Sequence, residues 1–361
     1  MLHRHPLLKL PWNGFHAQPV EKRAECFIDE GKLYHLIFTQ QYSRTILEDL
    51  SNLATKIRKI AKSKSGMEFL QNQLCHKRAM LYFQQPSTRT FLSFYAACQI
   101  LGLTPAEVRD SKTSSEVKGE TPEDSVRTFS SFFDVIIMRH PEAGFAEKIA
   151  WLLSNTERPV PVINAGSGSD QHPTQALLDV YTLFRSFEDR DGIDGKTVVF
   201  CGDLKRGRTV RSLAMLLTNF QDVKLHFVAP PELQIEKDIT DFLDARGNKY
   251  ELASSLRSVV GIADAVYMTR IQDEWDTAGQ TKKVDLAEFT FLPEFLSILH
   301  PNAVIMHPLP RRNEIPVEID SDPRAIYWRQ VRNGMWIRTA LIATIFKRDR
   351  IIAEYFESHN G

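Results

Sequence analysis

Four consecutive residues, Ser87-Thr88-Arg89-Thr90, put three hydroxyls and one guanidinium into a single turn. That set suits an oxyanion such as phosphate, because each group can donate to oxygen and one carries permanent charge. The turn follows a short apolar run, Ala79 to Phe83, which Pro86 ends. After it, Phe91, Phe94, Cys98 and Leu101 recur at spacings of 3, 4 and 3, which predicts a helix. A helix N-terminus adds free N–H groups and partial positive charge, so the turn reads as a phosphate cup. The four residues alone also fit a plainer reading, in which Ser87 or Thr88 is only a cap and Arg89 a solvated charge.

Five more polar groups follow predicted strands or open predicted helices. Arg139 and His140 come directly after Asp134 to Met138 (DVIIM); Arg139 is either a functional cation or a rim charge. His172 and Gln175 lie three apart at a helix start, on one face. An imidazole there can polarise a carbonyl and a carboxamide can hold an NH₂ group, while a capping histidine is the alternative. Gly202 to Thr209, GDLKRGRT, narrowly misses the nucleotide-binding pattern GxxxxGK[ST], with Arg208 where lysine is required. Neither Leu225–Val228 nor Val266–Met268 ends in an acid for magnesium, and Arg208 instead suits a bidentate grip on a carboxylate. Arg270 and Gln272 follow another strand, as a site or as a solvated turn. In His307-Pro308-Leu309-Pro310-Arg311 two prolines fix the backbone, leaving carbonyls as acceptors or simply a rigid turn with Leu309 packed.

Chemistry at strand ends requires sheets to carry it. With 361 residues the chain is long enough for two α/β domains. Lys plus Arg and Asp plus Glu each number 45, so the net charge is zero, which argues against a general nucleic-acid or membrane binder. Cys26, Cys75, Cys98 and Cys201 are far apart, with neither a zinc-knuckle nor a disulfide pattern, and reduced cysteines in a cytoplasmic protein are the simplest reading. No apolar run approaches the ~20 residues of a membrane span. The N-terminus is a poor signal peptide, broken by Pro6 and Pro11; its first 20 residues lack acids, which keeps an organelle transit peptide as the alternative.

Residues 1–34 show no clear periodicity and read as an extension before a first helix, Tyr42 to Ser63. Strands are expected at Ala79–Phe83, Ala106–Arg109, Asp134–Met138, Val160–Asn164, Thr197–Cys201, Lys224–Val228, Ala265–Thr269 and Ala303–Met306. Helices alternate with them, and one long amphipathic helix, Gln330 to Tyr355, comes last. Such alternation implies parallel sheets, with ligands beyond the carboxyl ends of the strands. The polar stretch Glu188 to Gly195 marks a domain boundary. The expected fold is α/β with two domains, each a parallel sheet flanked by helices: 35–187 with a C-terminal helix, 340–361, packing back on it, and 188–339.

In chain order, PSTRT, SSEVKGET, VIIMRHP, INAGSGSDQHPTQALLD, GDLKRGRTV, YMTRIQ and MHPLPR resemble the catalytic chains of the aspartate/ornithine carbamoyltransferase family, from about Tyr34 to the C-terminus. TRIQ with HPLP is similar to the aspartate branch; the HCLP turn and SMG motif of the ornithine branch do not occur. The resemblance implies transfer of the carbamoyl group of carbamoyl phosphate to L-aspartate, a step of pyrimidine biosynthesis, with no cofactor and no metal. Ser87, Thr88, Arg89 and Thr90 would hold the phosphate. Arg139, His172 and Thr90 would contact the carbonyl oxygen, and Gln175 the NH₂ group. Arg208 would take the α-carboxylate of aspartate and Arg270 with Gln272 its β-carboxylate, and the carbonyls of Leu309 and Pro310 would face the amino groups. Ser114 and Lys118 resemble loop residues that enter a neighbouring subunit's site, which implies a homotrimer with shared sites.

The chain departs from the family pattern at defined positions. Gln85 replaces an acid and Phe91 a second arginine in FEPSTRTR; the GDG turn is Gly166-Ser167-Gly168; Arg206 stands where tyrosine is usual, and Trp275 where many relatives carry arginine. In relatives that acid and that arginine pair with the equivalent of Arg208 as the domains close. Two rival readings follow: a carbamoyltransferase for another amine acceptor, and a non-catalytic paralogue. Arg270 and Gln272 speak against the first, and the intact phosphate set with Ser114 and Lys118 against the second.

Overall fold

The computed structural model describes residues 5–109, 119–168, 172–271 and 287–360. The chain forms two compact units, Met1–Leu177 with Gly334–Gly361, and Leu178–Asn333.

Unit 1 begins with short elements: helices α1 (Trp12–His16) and α2 (Val20–Glu25), then an antiparallel hairpin of β1 (Ile28–Asp29) and β2 (Lys32–Leu33). These residues, read from sequence as an extension, are folded against the rest of unit 1. Leu8, Phe15 and Phe27 share one core with Met80, Ile136 and Phe145. Arg23 on α2 and His16 on α1 both reach Glu147, whose side chain is only 3% exposed. Helices of five and six residues are too short to show a hydrophobic period, which is why the sequence offered no signal.

Next come α3 (Arg44–Ile60) and α4 (Lys64–Gln71), capped by Ser43 and Ser63, whose hydroxyls accept the N–H groups of Ile46 and Gly66. The parallel sheet has the order β4-β3-β5-β6, from β3 (Arg78–Phe83), β4 (Thr104–Val108), β5 (Val135–His140) and β6 (Val162–Ser167). Its two central strands are almost wholly buried, as strands covered on both faces must be. The helices between are α5 (Thr88–Ile100), α6 (Pro122–Phe132) and α7 (Phe145–Ser154), followed by α8 (Pro173–Ser186).

Unit 2 contains β7 (Thr197–Cys201), α9 (Arg208–Leu217), β8 (Lys224–Val228), α10 (Lys237–Ala245), β9 (Lys249–Ala253), β10 (Ala265–Met268) and β11 (Val304–Met306). All five strands are parallel, in the order β11-β10-β7-β8-β9. Edge strand β9 was not foreseen: KYELA is half-exposed and mixes charges with apolar residues, so it lacks the apolar run that marked its neighbours.

The expected single last helix is two, α11 (Tyr327–Ile345) and α12 (Asp349–Asn360). Lys347 takes a left-handed conformation, φ 55°. Its N–H bonds to Thr344 O and that of Arg348 to Ala343 O, the paired closure that stops a helix. α12 lies on unit 1, as expected: Tyr355 stacks on Phe69 of α4 at 3.7 Å and Glu357 pairs with Lys56 of α3 at 2.9 Å. Among the described residues no helix is long and apolar enough to cross a membrane.

Candidate active site

In unit 1 the polar residues gather at the carboxyl edge of the sheet. Ser87 is the N-cap residue of α5, yet its side chain accepts no capping hydrogen bond, so its hydroxyl is not consumed by the helix. Thr88 and Arg89 are exposed in the first turn and Thr90 is buried. The segment before them is tied to β5: the N–H groups of Gln84 and Gln85 both donate to the carbonyl of Arg139, at 2.9 and 3.3 Å. Parallel pairing of Phe83 with Arg139 sets that register. The hydroxyl turn and Arg139 are therefore positioned by one another.

Arg139 is 8% exposed, and its Nη1 donates to Ala165 O and to His172 Nε2, both at 3.2 Å. His172 directly precedes α8, and Gln175 lies in its first turn, with its N–H on the His172 carbonyl at 3.0 Å. Between them passes Gly166, at φ 111°. A Cβ there would stand 2.5 Å from Arg139 Nη1 and 3.1 Å from the His172 ring, so only glycine lets the backbone pass this pair. Asn164 fixes that backbone: its Oδ1 accepts the Gly166 N–H at 2.9 Å, and its Nδ2 donates to Ile37 O at 3.1 Å. Sequence reasoning singled out neither Gly166 nor Asn164 as supports; the departure from the GDG pattern was the nearest signal. The cluster offers hydroxyls and a guanidinium for a phosphate, beside a second guanidinium, an imidazole and a carboxamide.

Unit 2 carries its polar residues on turns after β7, β10 and β11. Gly202, at φ 123°, lies so close to the next turn that a Cβ would sit 2.1 Å from Thr269 O. Thr269 in turn donates its N–H to Cys201 O at 2.8 Å. The turn that leads to Arg208 and the turn that carries Arg270 are thus in backbone contact. Arg208 opens α9 and is half-buried, as is Arg270. Arg206 is paired internally: its N–H donates to Asp203 Oδ1 at 3.0 Å and its Nη1 lies 3.7 Å from Asp203 Oδ2, with Asp203 fully buried.

After β11, His307 is buried and holds the following turn. Its Nδ1 accepts the Leu309 N–H at 2.7 Å and its Nε2 lies 2.7 Å from Glu314 Oε1. Burial alone would raise the Glu314 carboxyl, but hydrogen bonds from His307 and the Arg312 N–H outweigh it and hold it below the usual range. Leu309 has φ 55°, and it and Pro310 lie at the surface side of the turn. Glu314 was not singled out from sequence, since an acid seven residues beyond a histidine carries no motif. Ser114, Lys118, Gln272 and Trp275 lie outside the described residues.

Comparison with known proteins agrees across both units. The family of aspartate/ornithine carbamoyltransferase carbamoyl-P binding domains matches residues 34–185, and the corresponding Asp/Orn binding domain family matches residues 194–345. A protein named aspartate carbamoyltransferase, chloroplastic, from Arabidopsis thaliana is 43% identical over 319 residues, covering 86% of this chain and 77% of its own. The solved catalytic subunit of M. jannaschii aspartate transcarbamoylase has a TM-score of 0.77 and 35% identity, covering 87% of this chain and 98% of that one. Aspartate transcarbamoylase from Trypanosoma cruzi, solved in complex with carbamoyl phosphate and aspartate, has a TM-score of 0.73 and 33% identity, covering 87% and 96%.

Proposed function

The chain belongs to the aspartate/ornithine carbamoyltransferase family, and from that premise we propose that it transfers the carbamoyl group of carbamoyl phosphate to the amine of L-aspartate. The products are N-carbamoyl-L-aspartate and phosphate, and the reaction serves pyrimidine synthesis.

In this reading the amine attacks the carbamoyl carbon, an oxyanion forms, and phosphate leaves with the bonding electrons. Ser87, Thr88, Arg89 and Thr90 hold the phosphate and meet its charge as it departs, aided by the N-terminus of α5. Arg139, His172 and Thr90 stabilise the oxyanion, where one such donor is typically worth ~3 kcal/mol. Gln175 orients the carbamoyl NH₂. Arg208 and Arg270, with Gln272, take the two carboxylates, and the Leu309 and Pro310 carbonyls accept from the amino group. Held in place, two small anions need no covalent enzyme nucleophile, and positioning supplies much of the rate. The leaving phosphate itself is a suitable acceptor for the amine proton.

The observation that supports this most is the cluster of Arg139 and His172, 3.2 Å apart, beside a hydroxyl turn tied to the Arg139 carbonyl. The test is a carbamoyl transfer assay with the purified chain against a panel of amino acids, with Arg89→Ala as control. Aspartate should be the best acceptor, and Arg89→Ala should lose turnover while remaining folded. Activity in Arg89→Ala equal to wild type would remove the phosphate cup, and another preferred acceptor would change the substrate. Arg206, spent on Asp203 where relatives carry tyrosine, and neutral Gln85 favour a second reading with a different amine acceptor.

The assembly is proposed to be a homotrimer in which Ser114 and Lys118 enter the neighbouring site. The compartment is proposed to be the cytoplasm. Imaging of the tagged chain in its own cells tests this, and organellar signal would overturn it.

A further inference from the structure

The turn after β11 is held by a chain of hydrogen bonds that runs through Asp179, Tyr267 and Gln330, all within Leu178–Asn333. Asp179 on α8 is fully buried; its Oδ2 accepts from the Tyr267 hydroxyl on β10 at 2.8 Å and its Oδ1 from Gln330 Nε2 on α11 at 2.7 Å. Gln330, 1% exposed, uses its Oε1 to accept the backbone N–H of His307 at 2.9 Å. The His307 ring carries the chain onward. A backbone N–H can only donate, so Nδ1, which receives the Leu309 N–H at 2.7 Å, holds a lone pair. The ring proton is then on Nε2 and donates to Glu314 at 2.7 Å. Pro308 and Pro310 have no N–H, so His307 and Leu309 supply the only main-chain donors of residues 307–310, and this chain uses both. Leu309 is kept at φ 55°, a conformation leucine rarely adopts unless its surroundings impose it.

We propose that Gln330 and Glu314, with Asp179 and Tyr267 behind Gln330, are positioning residues that aim the Leu309 and Pro310 carbonyls at the acceptor amine and so set acceptor affinity without touching the acceptor. The inference rests on the proposed carbamoyl transfer, in which those two carbonyls face the amino group. A carbonyl misdirected by a fraction of an ångström or a few tens of degrees loses most of its hydrogen bond, so a turn held through these two amides is sensitive to either.

Glu314→Ala, Glu314→Gln and Gln330→Leu are made in the full chain. Amide hydrogen exchange, read by mass spectrometry on a fragment that begins at Val304 or earlier and ends at Arg311, reports the two anchored amides without the Arg312 N–H that Glu314 also holds. Both should exchange at least about tenfold faster in Glu314→Ala and Gln330→Leu, and near the wild-type rate in Glu314→Gln, whose amide oxygen still accepts from the ring. With the best acceptor of the panel, its KM should rise about tenfold in the first two variants and less than about threefold in Glu314→Gln, with the KM for carbamoyl phosphate unchanged. Unchanged exchange overturns the anchoring. Faster exchange with an unchanged acceptor KM, or an equal rise in both KM values, overturns the positioning role. If Gln330→Leu fails to fold, Tyr267→Phe removes the hydroxyl bond to Asp179 and should raise only the acceptor KM. A wild-type chain inactive on every amine refutes the carbamoyl transfer itself and the amine-directed role with it, an outcome distinct from all the others.

Discussion

Gly166→Ala and Gly168→Ala separate the catalytic from the structural use of one turn. At Gly166 the added methyl would lie 2.5 Å from Arg139 Nη1 and 3.1 Å from the His172 ring. The obstacle is the end of a long side chain, so the fold can yield by moving Arg139, and the displaced atom is the one the proposed chemistry needs. Misplacing one donor to a developing oxyanion costs ~10²–10³ in kcat. The backbone adds strain, since φ 111° is unfavourable for alanine by about 1–3 kcal/mol. At Gly168, φ 40°, the methyl would lie 2.5 Å from Pro141 O and 2.9 Å from Ala143 N, both main-chain atoms that cannot swing aside. Gly168→Ala should therefore lower the melting temperature at least as much as Gly166→Ala, by several degrees at ~2–4 °C per kcal/mol. Its kcat should fall less than about tenfold, because no donor is displaced directly. The assay is carbamoyl transfer at saturating substrates beside thermal unfolding of both variants. A Gly166→Ala enzyme within threefold of wild-type kcat, or a larger kcat loss in Gly168→Ala, would refute the assignment of Arg139 as a donor at the reacting centre.

Three other perturbations address different parts of the molecule. Arg23→Ala leaves Glu147 buried with His16 as its remaining ion-pair partner among the described residues and should destabilise unit 1 by about 3 kcal/mol, measured by denaturant unfolding; a loss below about 0.5 kcal/mol would mean that α1 and α2 are dispensable to it. Lys118→Ala and Arg139→Ala should each be nearly inactive, and mixing them should restore part of the activity if sites are shared in a trimer; no recovery after subunit exchange verified by mass counts against sharing. Gln85→Glu with Trp275→Arg should tighten aspartate binding by more than the two single changes added together; strictly additive effects would point to another closure mechanism or another acceptor.

What could be read from the sequence follows from where the physical signal was local. β7 and β8 run over the expected residues, Thr197–Cys201 and Lys224–Val228, because each is a short apolar run with polar flanks. The residues of the candidate site were legible for a related reason: Arg139, Arg270 and His307 stand just after such a run, and Ser87 and Arg208 stand at the start of the helix that follows one, where a parallel sheet gathers its functional groups. The supports behind them were not legible. Asp179 and Gln330 are 151 residues apart in sequence, and nothing in either segment announces the other. The break between α11 and α12 was missed because lysine, not glycine, takes the left-handed closing position at residue 347. β6 was expected to stop at Asn164 but runs through Ser167, since glycine in Ala165-Gly166-Ser167 suggested a turn where it serves a close backbone passage.

The departures from the family pattern differ in whether the structure answers them. Phe91, in place of an arginine, receives a guanidinium from elsewhere: Arg109 lies 4.5 Å over its ring. Arg206, in place of a tyrosine, is matched by buried Asp203 at 3.7 Å. Gln85, in place of an acid, has no such answer; its Oε1 is buried and meets no hydrogen-bond partner among the described residues. An unsatisfied buried acceptor costs about 1–3 kcal/mol, so this position retains a cost that a hydrogen-bond donor would relieve. Glutamate there would carry the same vacancy with a full charge, which is worse until a cation arrives. Gln85→Glu alone should therefore weaken aspartate binding or stability, and only the addition of Trp275→Arg should turn the change into a gain. A single Gln85→Glu variant that already binds aspartate more tightly would show that an existing cation meets the new charge without help.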